Sequence, residues 1–286
     1  MTLPAFEYRE PETLEEAVGL LRDGGDEARV IGGGTALVVM LRARLLRPRL
    51  LVGLGRIPGL GDVRGNGDLR VATLATHREI ERSPEVRRHA PLLAEACRRV
   101  GSPTIRNMGT LGGNLAYGEA ASDPAPALLA LGARVTVVGP AGARTLPLDG
   151  FFRDFYETAL GPAEILTAVH VPPAPAAARS TFVKYTCLSE EERALVSVAA
   201  VVVPGPDGTW SEIRIGLGGV APTPVRAHGA EAILGGERPT DGRLREAAAR
   251  AAADVSPLGD RQGSAEYRRA MTEVWVRRAL ETLRAE

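Results

Sequence analysis

The chain has 286 residues, 44% of them hydrophobic and 24% charged, and its 35 basic and 35 acidic side chains cancel to a formal charge of zero. That is enough chain to bury a sizeable core, and the length suits two domains sharing a cleft. No apolar run approaches the length of a membrane helix, no charged-then-apolar leader follows Met1, and no basic stripe with interleaved aromatics offers a nucleic-acid groove; a cytoplasmic protein with no membrane span and no nucleic-acid partner is expected.

Taken along the chain, Thr13-Leu14-Glu15-Glu16 before an apolar run forms a capping box and predicts a short helix to about Arg22, ending at Gly24-Gly25. A strand at residues 28–31 feeds Gly32-Gly33-Gly34-Thr35, after which residues 36–46 read as a helix that stops before Pro48. Residues 49–54 and 68–73 read as further strands, which makes residues 1 to about 60 a small α/β lobe. From His77 to Val100 the apolar period is helical, with Pro84 and Pro91 placed to open helices. A glycine-rich stretch follows and ends in a helix from about Pro124 to Leu131.

Strands at 134–138 and 165–171 flank a loop-rich region, and the Pro/Ala tract at 172–178 reads as a linker with a domain boundary near residue 175. Beyond it, strands at 182–186, 195–203 and 212–218 precede helices near 226–234, 243–253 and 265–284, the order of a segregated α+β domain. The expected division is 1–175, with subdomains of about 1–60 and 61–175, followed by 176–286.

Two cysteines, Cys97 and Cys187, cannot ligate an iron–sulfur cluster by themselves, so any such cluster sits on another chain. The four histidines, His77, His89, His170 and His228, show no paired metal spacing, and no metal is expected. Three consecutive glycines at 32–34 let backbone approach a bulky anion, Thr35 adds a hydroxyl, and the following helix turns N–H groups toward negative charge. A plain tight turn would leave the same trace. The spacing is not the G-x-G-x-x-G dinucleotide fingerprint and lacks a P-loop ending.

A second loop, Thr110-Leu111-Gly112-Gly113-Asn114, repeats that chemistry, and two such grips imply a long ligand, such as a dinucleotide with a central diphosphate. Asp123 precedes Pro124 and is either the N-cap of that helix or an acceptor for ligand hydroxyls. No paired carboxylates and no Ser/His/Asp set mark a catalytic acid, base or nucleophile.

The motifs I-G-G-G-T, T-I-R-N-M-G-T-L-G-G-N, S-D-P-A-P-A-L-L-A-L, F-V-K, V-S-V-A-A and D-R-Q-G-S-A-E-Y-R-R occur in an order, from about residue 3 to 282, that resembles the FAD-binding medium subunit of molybdenum hydroxylases, the group of carbon monoxide dehydrogenase and the bacterial relatives of xanthine dehydrogenase. The resemblance implies an α+β chain: a two-subdomain, vanillyl-alcohol-oxidase-like FAD-binding domain of α/β lobes, then a small C-terminal domain of strands followed by helices. It implies an FAD-carrying electron-transfer subunit of a xanthine or carbon monoxide dehydrogenase-type oxidoreductase, with 2Fe–2S clusters on a small partner, the molybdenum cofactor and substrate chemistry on a large one, and a dimer of heterotrimers.

Carried over by position, Val30, Ile31, Gly32, Gly33, Gly34, Thr35, Ala36 and Leu37 would wrap the diphosphate. Thr110, Leu111, Gly112, Gly113 and Asn114 would form the second grip, with Val100 in apolar contact. Asp123 would accept from cofactor hydroxyls, Leu166 would pack near the ring system, and Lys184 would lie near the flavin's polar edge. Lys184 is the only lysine of the chain, and either a compact ammonium is needed there or it is a chance survivor on a strand.

One departure stands out. Many relatives follow the lysine with an arginine-containing stretch and a D-x-A step, whereas residues 185–193 here read Y-T-C-L-S-E-E-E-R. Phe182 and Tyr185 are candidates to face the ring or to fill the core, and the acidic run at 190–192 is a solvated turn or a docking patch. Two other readings stay open: an independent flavin-dependent oxidoreductase of related fold, and a flavin-free assembly module, against which the two glycine loops argue.

Overall fold

The chain opens on β1 (Glu7–Arg9), α1 (Leu14–Gly24), β2 (Ala28–Ile31), α2 (Leu37–Arg42) and β3 (Leu50–Gly53), with the strands paired in the parallel order β1-β3-β2. The Thr13 hydroxyl caps α1 by accepting from the Glu16 N–H at 3.1 Å, and Gly25, at φ 50°, ends it. Ala17, Val18 and Leu21 on α1 meet Val52 of β3, Leu54 and Leu60 in a small core. The structure, a computed structural model, describes residues 3–285; Met1, at which no leader is expected, and the outermost residues of both expected domains lie outside the described residues. Helix α2 is shorter than the apolar pattern of 36–46 suggests, because the backbone turns left-handed at Arg44, φ 58°.

The next unit carries β4 (Val63–Asn66), β5 (Asp68–Ala72), α3 (His77–Arg82), α4 (Pro84–His89), α5 (Pro91–Arg98), α6 (Pro103–Met108), α7 (Leu111–Tyr117), α8 (Pro124–Ala130), β6 (Arg134–Gly139), β7 (Gly142–Pro147), β8 (Phe152–Asp154), β9 (Glu157–Thr158) and β10 (Ile165–Val171). Its main sheet is antiparallel, in the order β4-β5-β10-β6-β7, and β8 and β9 form a separate hairpin. Pro84, Pro91, Pro103 and Pro124 all stand in the first turn of a helix, where a missing N–H costs nothing. The glycine-rich stretch expected as loop is thus two short helices, and the loop-rich region after residue 139 contains β7, whose residues are almost all exposed.

The last unit runs β11 (Arg179–Tyr185), β12 (Val196–Pro204), β13 (Trp210–Gly218), β14 (Val225–Arg226), α9 (His228–Leu234), α10 (Asp241–Asp254) and α11 (Ala265–Ala285). Its four strands are antiparallel in chain order. Strand β12 reads as an unbroken apolar run because both of its faces are covered. Val196, Val198, Ala200 and Val202 point into the core under α9, α10 and α11, while Ala199 and Val201 join Phe182 in the core of the preceding unit, against α8. No helix among the described residues is long and apolar enough to cross a membrane.

Candidate functional site

Strand β2 delivers the first glycine loop to the edge of the parallel sheet. Among the described residues, the N–H groups of Gly33, Gly34, Thr35, Ala36 and Leu37 find no protein acceptor, so five consecutive donors stand open at the start of α2. Gly34 adopts φ 70°, where a side chain is strained, and the Ile31 side chain lies beneath it. Gly33 is fixed by packing as well: a Cβ there would sit 1.8 Å from the Met108 carbonyl oxygen. A Cβ on Gly32 would meet the Thr110 hydroxyl at 3.0 Å. The two glycine segments, 75 residues apart in sequence, are therefore pressed together. Val30 to Leu37 are all half-buried except Gly32, which is exposed.

The second segment is the first turn of α7 rather than a loop, and the N–H groups of its last four residues already have acceptors. Leu111 donates to the Ala75 carbonyl, Gly112 to that of Thr73, Gly113 to the Thr110 hydroxyl and Asn114 to the Thr110 carbonyl. Gly112 is required by Thr73, whose hydroxyl would lie 1.7 Å from an added Cβ. What this segment can still offer a ligand is the N–H and hydroxyl proton of Thr110, the exposed face of Gly113 and the Asn114 amide nitrogen. The Asn114 oxygen accepts from the Ser122 hydroxyl at 2.5 Å, which carries the strip onward to Asp123.

Asp123 occupies the N-cap position of α8, but its side chain makes no capping bond; the Ser122 hydroxyl does so instead, accepting from the Ala125 N–H at 3.3 Å. One Asp123 oxygen accepts from Lys184 Nζ at 2.8 Å. The other, Oδ1, is buried with no partner, which is costly unless a donor from outside the protein supplies one. Burial pushes the Asp123 carboxyl up to about 7, with the Lys184 charge holding it back from going further. The Lys184 side chain is 2% exposed, and its ammonium also donates to the Arg99 carbonyl at 2.7 Å, next to half-buried Val100. Two of its three N–H bonds are thus committed. Leu166 is buried on β10, beside Thr167, whose carbonyl accepts from the Thr73 N–H.

From Gly33 through Thr110, Asn114 and Asp123 to Lys184 and Val100, expected residues form one continuous strip across both subdomains and the C-terminal sheet, with Ser122, which was not expected, bridging Asn114 to the start of α8. Phe182 fills the core, and Tyr185 lies on Trp275 with ring centroids 5.2 Å apart and its hydroxyl 2.6 Å from that of Tyr267. Glu190 of the acidic run pairs with Arg99 at 2.9 Å.

Sequence reasoning passed over several residues that hold the strip in place. Arg106 donates to the carbonyls of Val100 and Gly101 and pairs with Glu81. His77 lies buried under Gly109, held neutral by burial and by Arg106, with its value lowered to about 4. The Ser102-Pro103 and Ser122-Asp123-Pro124 runs carried helix-start signals that point toward this neighbourhood. Arg106 lies within the T-I-R-N-M-G motif but carried no assigned role, and nothing in the sequence marks Thr73. Among the described residues no group of three or more His, Cys, Asp or Glu side chains could hold a metal ion.

Residues 4–174 match the family described as the FAD binding domain in molybdopterin dehydrogenase, and residues 182–283 match the CO dehydrogenase flavoprotein C-terminal domain. The chain is 36% identical to the carbon monoxide dehydrogenase medium chain of Hydrogenophaga pseudoflava, over 98% of this chain and 97% of that one. It is likewise 36% identical to the nicotine 6-hydroxylase medium subunit of Paenarthrobacter nicotinovorans, over 98% of each. The solved carbon monoxide dehydrogenase from Hydrogenophaga pseudoflava lacking the Mo-pyranopterin moiety superposes with a TM-score of 0.95, covering 98% of both chains at 36% identity.

Proposed function

The chain belongs to the family of FAD-binding medium subunits of molybdenum hydroxylases, and on that premise we propose that it holds one FAD along the strip from Gly33 to Lys184. The observation that carries this reading is the run of five open N–H donors at Gly33–Leu37, closed on its far side by Thr110. Those donors, with the hydroxyls of Thr35 and Thr110, hold the diphosphate. Asp123 Oδ1 accepts from a cofactor hydroxyl and so satisfies the buried oxygen that lacks a partner. Lys184 keeps Asp123 in place and turns its third N–H toward the polar edge of the flavin. Val100, Leu111 and Leu166 give the apolar boundary that keeps water out, while Gly112, Gly113 and Asn114 form the wall of the second grip. The wrapping segment is completed by Val30, Ile31, Gly32, Gly34, Ala36 and Leu37.

When bound, FAD supplies a redox centre that takes electrons singly and releases them in pairs; this chain binds, orients and shields it. We place the iron–sulfur clusters on a small partner and the molybdenum cofactor and substrate oxidation on a large one, in a dimer of heterotrimers. We set the boundary between the FAD-binding and C-terminal domains near residue 175, in the stretch between β10 and β11. The cytoplasm, where an exposed free thiol such as Cys187 stays reduced, is the compartment we assign. Acid precipitation of the purified complex tests the cofactor. Neither glycine segment contains a histidine or cysteine, so FAD is held without a covalent bond, and close to one FAD per chain is released to the supernatant. Flavin retained on the pellet, or FMN in its place, contradicts the reading.

A further inference from the structure

The seat of Asp123 is built by contacts between domains, and one buried charge far along the chain joins them. Arg268, in the first turn of α11, has a side chain only 5% exposed. Its Nη1 donates to the carbonyls of Leu195 at 2.8 Å and Gly219 at 3.1 Å, and its Nη2 to Asp260 at 2.8 Å. Each carbonyl leads to one half of the Asp123–Lys184 pair. The Leu195 N–H donates to the Tyr185 carbonyl at 2.8 Å, which closes the mouth of the 186–194 loop and sets the start of β12 beside Lys184, itself paired in register with Ser197. The Gly219 N–H donates to the Ala120 carbonyl at 2.8 Å, three residues before Asp123.

The fit around this junction is close. A Cβ on Gly219 would lie 2.8 Å from the Ala194 oxygen, and one on Gly218 would lie 2.5 Å from the Ser197 hydroxyl and 3.3 Å from the Ser122 carbonyl. The end of β13 is thereby pressed against the segment that carries Asp123. Asp260, the carboxylate partner, is held by the N–H groups of Gln262 and Gly263, and the Gln262 carbonyl accepts from Cys187 Sγ in the same 186–194 loop. A guanidinium suits this node because one planar fork reaches two carbonyls and a carboxylate at fixed angles; a lysine ammonium cannot span them.

We propose that Arg268 is a positioning residue for the cofactor: through Leu195 and Gly219 it sets Asp123 and Lys184 at the spacing that FAD requires. The inference rests on the placement of FAD beside Asp123 proposed above. It is tested in the complex assembled with its partner chains, with FAD dissociation followed by flavin fluorescence and the flavin environment by visible circular dichroism. Arg268→Lys is expected to weaken FAD binding by about tenfold and to change the visible circular dichroism of the bound flavin, with unchanged far-ultraviolet circular dichroism.

The decisive arm is the double variant. If Arg268 acts through Asp123, then adding Arg268→Lys to Asp123→Asn weakens binding by less than about twofold, because the shared contact is already lost. Losses that multiply would assign Arg268 to general stability and overturn the inference. Should Arg268→Lys fail to fold, Asp260→Asn at the exposed side of the same fork replaces it, with a loss of roughly threefold and the same coupling to Asp123 expected. An unperturbed affinity and spectrum in Asp260→Asn would then overturn the proposal. Failure of the wild-type complex to bind FAD at all would instead overturn the cofactor reading on which the inference rests.

Discussion

Gly33 and Gly113 look equivalent in the sequence, one inside a glycine triplet and the other in a glycine pair, each within three residues of a threonine, and the structure separates them. At Gly33 an added Cβ runs into backbone, the Met108 carbonyl at 1.8 Å, so Gly33→Val breaks the contact between the two segments. At Gly113 the nearest atom is the rotatable Thr110 hydroxyl at 2.8 Å, on an exposed face. Gly33→Val is therefore predicted to cost at least about 2 kcal/mol of stability and to lose FAD. Gly113→Val should cost about 1 kcal/mol, through the Thr110 cap. Urea unfolding midpoints for the pair check this, and equal losses would contradict it. Glycine as a requirement was legible, but its reason was not: at 33 and 112 the space is taken by the protein's own backbone and by Thr73.

Asp123 gives a pH dependence with two opposite signs. Its carboxyl is raised from 3.8 to about 7, chiefly by burial. A carboxyl raised in the folded state stabilises the FAD-free chain below pH 4 relative to high pH, and that contribution is lost as pH rises through about 7. FAD affinity runs the other way, because a cofactor hydroxyl donates to the ionised oxygen, so retention should improve as pH rises through the same value. Titrations of FAD dissociation between pH 5.5 and about 8.5 should show the inflection, and Asp123→Asn should remove it. A flat profile in the native chain would return Asp123 to a structural role. The sequence left this residue between capping and binding; Ser122 takes the cap and frees it.

Among elements, those announced by proline and capping signals, such as the helices opened by Pro84, Pro91 and Pro124, lay where the pattern put them. Helices α6 and α7 carried the same signals at Ser102-Pro103 and Thr110, hidden among glycines that suggest loop. Strand β7 was invisible because it faces solvent and shows no apolar alternation. Helix α2 was read too long for a different reason. Its end is a Schellman arrangement, with the Leu45 N–H on the Met40 carbonyl and the Arg44 N–H on that of Leu41, and the left-handed position is held by Arg44 where glycine is usual. Arg44→Gly should therefore raise stability by about 1 kcal/mol in thermal or urea unfolding; a loss of stability would contradict that geometry. On α11, Leu280→Ala empties a fully buried position in the C-terminal core and should cost about 2 to 5 kcal/mol, read as a drop in the urea midpoint. A loss below about 1 kcal/mol would show that the core collapses around the gap.

At the scale of the whole molecule, the C-terminal domain is more than a cap on the FAD-binding domain. Strand β12 is shared between two cores, Lys184 crosses the domain junction to Asp123, and Arg268 ties the far helix to the same junction. The sequence showed strands before helices in the C-terminal part, because hydrophobic periodicity is a local signal. It could not show that the domains share a core, since that depends on which face of β12 meets α8.

The same arrangement defines what the chain does with its flavin. The function proposed above has the flavin receive its electrons from partner chains, as the relatives named as medium subunits of multi-subunit enzymes suggest. The direct test is the absorbance of the flavin band under anaerobic conditions, recorded with carbon monoxide, purines, aldehydes and aromatic acids, with and without the partner chains. The account predicts bleaching by the physiological substrate only when the iron–sulfur and molybdenum-bearing partners are present. Rapid bleaching by an organic substrate in the chain alone would contradict it and identify an independent flavoenzyme.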